Sequence, residues 1–219
     1  MTAIPAREAY RLWAPTYERE TAVTFLEDLL VREWGAPTSG LAVLDAGCGT
    51  GRRLRGVEAA LAVGVDVTPE MLARSDGRQL LAAADIRIVP FADDTFDVVW
   101  CRLVIGHLAN IAPAYAELSR VCRPGGSLVV TDFHPDAVAA GHRRTFRDSA
   151  GTVRDVEHYV HDAQAHSAAA RHVHLQPTAR HEGCVDPTIR AFYDDAGKLA
   201  TYEAQLGLRL VIVHCYRKT

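Results

Sequence analysis

A glycine-rich turn next to an acidic residue is the strongest candidate for chemistry in this sequence. The apolar run 41–44 ends in Asp45 and passes into Gly47, Gly49 and Gly51, a pattern that predicts a buried strand turning sharply towards a helix start. Glycine permits positive φ and has no Cβ to hold a ligand away, and a helix N-terminus offers free N–H groups. The pattern also occurs in plain strand-to-helix turns, so its meaning depends on the residues that follow.

A second acidic residue favours a ligand that contains a ribose. Asp66 ends the next apolar run, 61–65, and lies 21 residues after Asp45. An acid at the tip of the second parallel strand is where a ribose can be held through its hydroxyls. A dinucleotide is less favoured, because the G-x-G-x-x-G fingerprint requires a glycine where this sequence has Arg52.

These two motifs, VLDAGCGTG at 43–51 and VGVDVTPEML at 63–72, resemble those of the class I S-adenosylmethionine-dependent methyltransferases, in the small-molecule and quinone-type branch. The resemblance covers roughly residues 41–133 closely. It implies an α/β fold, a three-layer α/β/α Rossmann-like sandwich with a seven-stranded, mostly parallel sheet, an antiparallel last strand and an N-terminal helical lid. It also implies S-adenosyl-L-methionine as the cofactor.

One methyltransferase domain is expected over all 219 residues, because a chain of this length with 48% hydrophobic residues can bury a full core. Within it we expect lid helices in 1–38, a cofactor-binding core in 41–133, and a substrate-capping hairpin with a sixth strand in 142–181. The apolar run 86–89 reads as the third strand, and a helix of about two turns is expected after the glycine loop.

The resemblance also implies which residues hold the cofactor. Asp66 would bind the ribose, Val67 and Met71 would line the adenine, and Asp85 would accept a hydrogen bond from its amino group. Met71 could equally be a core residue, and an aspartate at position 85 is also common in loops. The full predicted set is Tyr17, Asp45, Ala46, Gly47, Cys48, Gly49, Asp66, Val67, Met71, Asp85, Ile86 and Cys101.

Residues beyond the fourth predicted strand should face the methyl acceptor, because open α/β sheets bind ligands at the carboxyl ends of their strands. We expect Arg102 and His107 there, with Tyr10 contributed by the lid. His107 is a candidate general base, since an unperturbed histidine titrates near neutral pH. His134 and His161 are further catalytic candidates that could reach the same pocket. A structural hydrogen-bonding role for His107 remains the alternative.

Metal binding is not predicted, although six histidines fall between residues 158 and 181. His172 and His174 would face one side of a strand, but the spacing matches no closed zinc site and no acidic residue completes one. The five cysteines are irregularly spaced without a C-x-x-C pair, which indicates neither a disulfide framework nor a zinc knuckle.

Composition limits the partners. The net charge of −3 gives no basic surface field for nucleic acid. No apolar run approaches the ~18 residues of a membrane span, and the N-terminus lacks an apolar signal core. We therefore expect a soluble, cytoplasmic protein, monomeric or homodimeric, that acts on a small molecule.

The expected reaction is transfer of a methyl group to an oxygen, nitrogen or carbon atom of a small-molecule acceptor. Two alternatives stay open: a protein that binds the cofactor or its demethylated product without turnover, and a methyltransferase that acts on protein or RNA. Cys101-Arg102-Leu103-Val104 follows the fourth strand in place of an Asn-Pro-Pro-Tyr or Asp-Pro-Pro-Tyr element. That difference argues against methylation of nucleobase or glutamine amino groups.

Overall fold

The structure, a computed structural model, describes residues 3–219, so the first two residues of the predicted lid, 1–38, lie outside the described residues. The strands are β1 Ala42–Ala46, β2 Leu61–Asp66, β3 Leu80–Ala83, β4 Phe96–Arg102, β5 Cys122–Phe133, β6 Thr145–Arg147, β7 Val153–Asp155, β8 Leu175–Cys184 and β9 Arg209–Lys218. The helices are α1 Ala6–Trp13, α2 Ala22–Trp34, α3 Pro69–Leu72, α4 Ala112–Val121, α5 Pro135–Ala139, α6 Ala163–Arg171, α7 Arg190–Asp195 and α8 Leu199–Ala204.

Seven strands form one sheet in the order β3-β2-β1-β4-β5-β9-β8. Neighbouring strands from β3 to β5 are parallel, and β9 is antiparallel to both β5 and β8. The predicted seven-stranded sheet with an antiparallel last strand is therefore confirmed. The chain order reverses between β1 and β4, and open α/β sheets bind ligands at such a point.

Successive residues of a strand face the two helical layers. On β1, Val43 packs in one cluster with Val31 of α2, whereas the next residue, Leu44, packs in another with Tyr115 and Leu118 of α4. Side chains of a strand alternate between its two faces, so both faces of this sheet are covered by helices. This confirms the predicted three-layer α/β/α sandwich.

The connection after β1 is shorter than predicted. In place of a two-turn helix, the glycine loop leads into a single 3₁₀ turn, Arg52–Leu54. Gly56 follows two residues later with φ +75°, a left-handed conformation that does not continue a helix. The chain therefore reaches β2 without a full helix.

The third strand lies earlier in the chain than we predicted. It is β3, Leu80–Ala83, whereas the apolar run 86–89 forms a turn in which Asp85 and Ile88 make an isolated antiparallel bridge. The Asp85 carboxylate accepts the Arg87 N–H at 2.9 Å and fixes this turn. The apolar run alone did not reveal that local side-chain bond, which competes with strand pairing.

The N-terminal segment and the β6–β7 hairpin form one connected cover over the sheet. The Ile4 N–H donates to the Asp155 carbonyl at 3.0 Å, and the Ile4 carbonyl accepts the Glu157 N–H at 2.8 Å. The Trp13 and Phe146 rings stack with centroids 5.2 Å apart. The predicted hairpin is thus present, and α1 is attached to it by both backbone bonds and ring packing.

Candidate active site

A cavity of about 910 Å³ lies at the carboxyl ends of β1, β2 and β4, beneath the cover formed by α1 and the β6–β7 hairpin. This is where the topology places a ligand. The structure brings the following predicted residues together around it: Tyr10, Tyr17, Gly47, Gly49, Asp66, Val67, Asp85, Ile86, Arg102 and His107.

Gly47 in the glycine loop lies so close to the loop after β4 that a side chain cannot be accommodated at this position. Gly47 and Gly49 have φ +86° and +58°. A Cβ on Gly47 would lie 2.3 Å from the Val104 Cγ2 atom. The Gly47 and Cys48 N–H groups donate to the Val65 carbonyl at 2.8 and 2.9 Å, which fixes the loop against the end of β2. The glycines are therefore required by both conformation and space.

Asp66 joins the glycine loop to the turn that follows β2. One carboxylate oxygen accepts the Gly49 N–H at 2.9 Å, and the other accepts the Thr68 N–H at 2.8 Å. Burial raises the pKa of Asp66, and the two backbone N–H bonds partly oppose that shift. Each carboxylate oxygen has more than one lone pair, so the group can still accept hydrogen bonds from a ligand in the cavity.

A second carboxylate lies in the turn after β3. Asp85 is held by Arg87, whose Nη2 donates at 2.5 Å and whose Nε donates at 2.9 Å. The hydrogen bond from Arg87 lowers the pKa of Asp85, so this group is ionised at neutral pH. Ile86 beside it and Val67 after β2 supply apolar surface to the cavity. The set offers an acceptor beside an apolar slot, which suits a flat heteroaromatic ring.

Five predicted cofactor residues lie behind the cavity wall rather than on its surface: Asp45, Ala46, Cys48, Met71 and Cys101. Burial raises the pKa of the Cys48 and Cys101 thiols well above its ordinary range, so both stay protonated. Burial also raises the pKa of Asp45 to about 6, and neither of its oxygens has a hydrogen-bond partner within residues 3–219.

A buried ionic cluster supports the floor of the cavity. Glu27 of α2 accepts two bonds from Arg102, at 2.8 and 2.9 Å, one from Arg53 at 3.0 Å and one from Thr131 at 2.8 Å. Burial alone would raise the pKa of Glu27, but the two neighbouring guanidinium groups reverse this and lower it to about 2. Arg102 also bonds Asp28 at 2.8 Å, so its guanidinium is already occupied by this cluster.

His107 lies at the wall, but its environment does not suit a general base. Its Nδ1 is 3.2 Å from the Glu157 carbonyl, so it carries the proton, and Nε2 accepts from Tyr10 at 3.0 Å and from Arg144 at 2.9 Å. Burial, followed by the charge of Arg144, lowers the pKa of His107 to about 3. The imidazole is therefore neutral at physiological pH, and its lone pair is occupied by a cation.

The structure does not bring the other two catalytic candidates to the cavity. His134 Nδ1 accepts the Asp136 N–H at 3.0 Å and caps α5, and its Nε2 lies 3.7 Å from the Glu182 carboxylate. His161 Nε2 lies 2.8 Å from the Leu108 carbonyl, on the outer side of the loop after β4. Both positions favour structural roles.

Several residues that the sequence reasoning missed also line the cavity. Arg19 lies between α1 and α2, Arg52 follows the glycine loop, Phe133 ends β5, and Arg144 precedes β6. A basic residue next to a candidate glycine loop could have been noticed for Arg52. No local pattern marks the other three, because only the tertiary fold brings them to this edge of the sheet.

Comparison with known proteins shows what this chain is similar to. Residues 44–130 match the family model described as a methyltransferase domain. The chain is 33% identical over 139 residues to the O-methyltransferase cnsE of Penicillium expansum, an alignment that covers 57% of this chain and 50% of the relative. It is 34% identical over 149 residues to a demethylmenaquinone methyltransferase of Roseiflexus sp. (strain RS-1), which covers 59% of this chain and 61% of the relative.

Solved structures share the fold of this chain. An S-adenosylmethionine-dependent methyltransferase from Mesorhizobium loti superposes with a TM-score of 0.68 at 20% identity, over 88% of this chain and 98% of that one. This likeness confirms the predicted fold. The chain spans 50% and 61% of the length of the two curated relatives above.

Across residues 3–219, no group of three or more histidine, cysteine, aspartate or glutamate side chains is arranged to hold a metal ion. In the same part of the chain, no helix has both the length and the apolar character needed to cross a bilayer.

Proposed function

We propose that this chain transfers the methyl group of S-adenosyl-L-methionine to an oxygen, nitrogen or carbon atom of a small-molecule acceptor. The bond between the Gly49 N–H and the Asp66 carboxylate, 2.9 Å long, is the observation that carries the proposal. It holds a glycine-rich loop and a partly buried acid side by side at the edge of one cavity. That pairing suits a ligand with a ribose diol next to an amino-acid tail.

The residues present fit this cofactor. Asp66 would accept hydrogen bonds from the ribose hydroxyls, and the backbone at Gly47 and Gly49, which lines the cavity, would bind the amino-acid part. Asp85, with Ile86 beside it, would accept from the amino group of the adenine. When bound, the cofactor supplies a methyl group on a positively charged sulfur. The volume of about 910 Å³ has room for a second molecule next to it.

The acceptor end of the cavity lies between the lid and the hairpin. Tyr10 from α1, His107 after β4 and Arg144 before β6 meet there through two hydrogen bonds of 3.0 and 2.9 Å. We propose that the segment 142–181 caps the acceptor through its first residues and Tyr159, which line the cavity. The cover would exclude water and hold the nucleophile in line with the methyl group.

No base is assigned to the reaction. His107 is neutral with its Nε2 lone pair occupied, so a proton from an acceptor would have to displace two existing bonds. The chain therefore acts by positioning and by excluding water, which is sufficient for acceptors that are already nucleophilic, such as carboxylates or neutral amines. Acceptors of high pKa gain more from a base and fit this site less well.

Calorimetry followed by a transfer assay tests the proposal. We expect S-adenosylhomocysteine and S-adenosylmethionine to release heat on binding to the folded chain, and NAD to give none. Labelled methyl groups should then reach members of a small-molecule acceptor panel. Binding without transfer over a broad panel would favour a binding protein without turnover, and absence of binding by a folded sample would refute the proposal.

A further inference from the structure

Arginines dominate the charged residues of the cavity. Only two carboxylates face them across the same lining, Asp66 and Asp85. The chain as a whole has a net charge of −3, so this basic lining is local and is not a property of the whole surface. The lining arginines are Arg7, Arg19, Arg52, Arg87, Arg102, Arg143 and Arg144.

The arginines differ in how well they are paired. Arg87, Arg102 and Arg143 each have a carboxylate oxygen within 3.1 Å. Arg144 has its nearest carboxylate oxygen, on Asp132, at 3.7 Å. The remaining three form no ion pair within residues 3–219. They are Arg7, Arg19 and Arg52.

Arg144 is buried although no carboxylate lies within hydrogen-bond distance of it, with 8% of its side chain exposed. Its Nη1 donates to the Leu103 carbonyl at 2.6 Å and to His107 Nε2 at 2.9 Å, both neutral acceptors. Its Nε and Nη2 atoms are buried and have no hydrogen-bond partner among the described residues. An under-bonded buried guanidinium is costly, because each unsatisfied donor loses its hydrogen bonds to water.

Asp132 does not complete this pairing. At 3.7 Å its Oδ1 lies beyond hydrogen-bond distance of Arg144 Nη2, and the same oxygen accepts the Phe133 N–H at 2.8 Å and faces His158 Nε2 at 3.6 Å. The Phe133 ring lies under the guanidinium, 5.3 Å from Cζ, and offers no lone pair. Arg144 thus keeps two donors without hydrogen-bond partners at the wall of the cavity, with Asp132 as a counter-charge beyond hydrogen-bond distance.

We propose that the methyl acceptor is an anion whose carboxylate or phosphate group binds Arg144, with Arg7 adding attraction from the lid. The inference rests on the proposed function, because it concerns the second molecule in the same cavity. Arg144 is fixed only through Nη1, so a small rotation of the guanidinium would present Nε and Nη2 together to the two oxygens of an anion. His107 beside it is neutral, so it carries no positive charge that could bind the anion in place of Arg144.

Matched aromatic probes test the charge of the acceptor. Benzoate, phenyl phosphate and neutral benzamide are titrated by calorimetry into the complex of the full chain with S-adenosylhomocysteine. We expect an anion to bind at least roughly tenfold more tightly than benzamide, since charge-assisted bonds are about twice as strong as neutral ones. Tighter binding of benzoate than of phenyl phosphate would identify a carboxylate acceptor. Tighter binding of phenyl phosphate would identify a phosphate acceptor.

Variants show whether Arg144 is the cause. We expect R144Q to remove most of the preference for the anion, and R144K to keep part of it. R123Q removes one positive charge at Arg123, which pairs with Asp97 outside the cavity at 2.6 Å, and should change nothing. If R144Q does not fold, R7Q on the exposed face of α1 is tested in its place. In R7Q the preference for the anion over benzamide should fall by roughly threefold and become less salt-dependent.

Failure of this inference is distinguishable from failure of the proposed function. Binding of S-adenosylhomocysteine is measured first, without any probe, and its absence would refute the proposed function. If S-adenosylhomocysteine binds but benzamide binds as tightly as the two anions, or if no anion binds up to millimolar concentration, the acceptor proposal is overturned. An undiminished preference in folded R144Q would overturn it as well.

Discussion

Glu27 and Arg102 are bonded side-on, with Nε to Oε1 at 2.8 Å and Nη2 to Oε2 at 2.9 Å, although 75 residues separate them in the chain. The carboxylate is fully buried and 4% of the arginine side chain is exposed. This pair fastens α2 to the end of β4, directly below the cavity. Burying two charges is costly, so the pair makes the position of α2 depend on both partners being present.

Removing the negative charge of Glu27 should destabilise the fold strongly. We expect E27Q to lower the free energy of unfolding by about 3–5 kcal/mol, because the buried Arg53 would lose the carboxylate it pairs with and Arg102 would keep only Asp28. Urea denaturation followed by circular dichroism measures it. E33Q, on the exposed face of the same helix, should stay within about 0.5 kcal/mol of the parent. Equal losses in both variants would contradict the role of the pair.

Asp66 should control cofactor affinity more than stability. We expect D66N to weaken binding of S-adenosylhomocysteine by roughly 1–3 kcal/mol, because charge-assisted bonds to the ribose would become neutral ones. Calorimetry gives the affinity. D76N is the matched control, since Asp76 is an exposed acid in the turn before β3 and does not line the cavity. Unchanged affinity in D66N would place the ribose elsewhere.

Two glycines with left-handed φ separate the two reasons why a glycine is needed. At one of them an added Cβ costs stability only through the backbone conformation, and at the other it would also clash with a neighbouring side chain. Gly56 has φ +75° with open space around its Cβ position, so G56A should cost about 1–2 kcal/mol of stability from φ alone. Gly47 has φ +86° and a Cβ there would lie 2.3 Å from Val104 Cγ2. We expect G47A to cost about 1–3 kcal/mol more than G56A in urea denaturation. Similar losses in both would show that the loop can move away from Val104.

Buried neutral histidines should make the protein sensitive to mild acid. Burial lowers the pKa of His166 to about 4 and that of His214 to about 3, and their rings stack 4.4 Å apart. Their unfolded forms bind protons near the ordinary pKa of about 6.5, so the unfolded state takes up more protons below that pH. The contribution of these two neutral histidines to the free energy of unfolding is therefore fully present above pH 6.5, and it is lost as the pH falls towards 4.

The size of this effect can be measured with one variant. The shift at His166 corresponds to roughly 3 kcal/mol at most, because one pKa unit is about 1.4 kcal/mol. Thermal unfolding between pH 7 and 4.5 should show a steep loss in the parent chain and a shallower one in H166Q. The exposed His172 supplies the control, and H172Q should keep the parent slope. A flat profile in the parent would contradict the buried, neutral assignment.

His107 should not titrate in the physiological range. Burial and the neighbouring Arg144 lower its pKa to about 3, so imidazole signals in NMR spectra should stay those of the neutral ring down to about pH 4. Removing the positive charge in R144Q should raise the pKa of His107, though burial would still hold it below its ordinary value. Protonation of His107 near pH 6.5 in the parent chain would restore it as a candidate base.

The positions of Asp66 and the glycines were predictable from sequence because their signals are local. Each ends an apolar run, and the carboxyl ends of parallel strands meet at one edge of a sheet. The resemblance to a known family, which rests on these local motifs, predicted the sheet and its antiparallel last strand. It misplaced the third strand, since an apolar run at 86–89 could not reveal the bond from the Arg87 N–H to Asp85.

Long-range pairing was the part that sequence could not supply. Glu27 sits on the same helical face as the buried Val31, and an acid on a buried face signals a hidden partner. The sequence does not say that the partner is Arg102. In the same way His107 was identified as titratable, but its neutral state depends on Arg144, which lies 37 residues further along the chain.

The bonds from Ile4 to Asp155 and Glu157 have a consequence for turnover. Because α1 and the β6–β7 hairpin are joined there, and again where Thr16 donates to the Arg147 carbonyl at 2.8 Å, neither can lift away alone. The cofactor end and the acceptor end of the cavity beneath them are then exposed to solvent by a single displacement. Spent cofactor and methylated product would leave during the same event, and the rate of that event would set an upper limit on the number of reaction cycles per second.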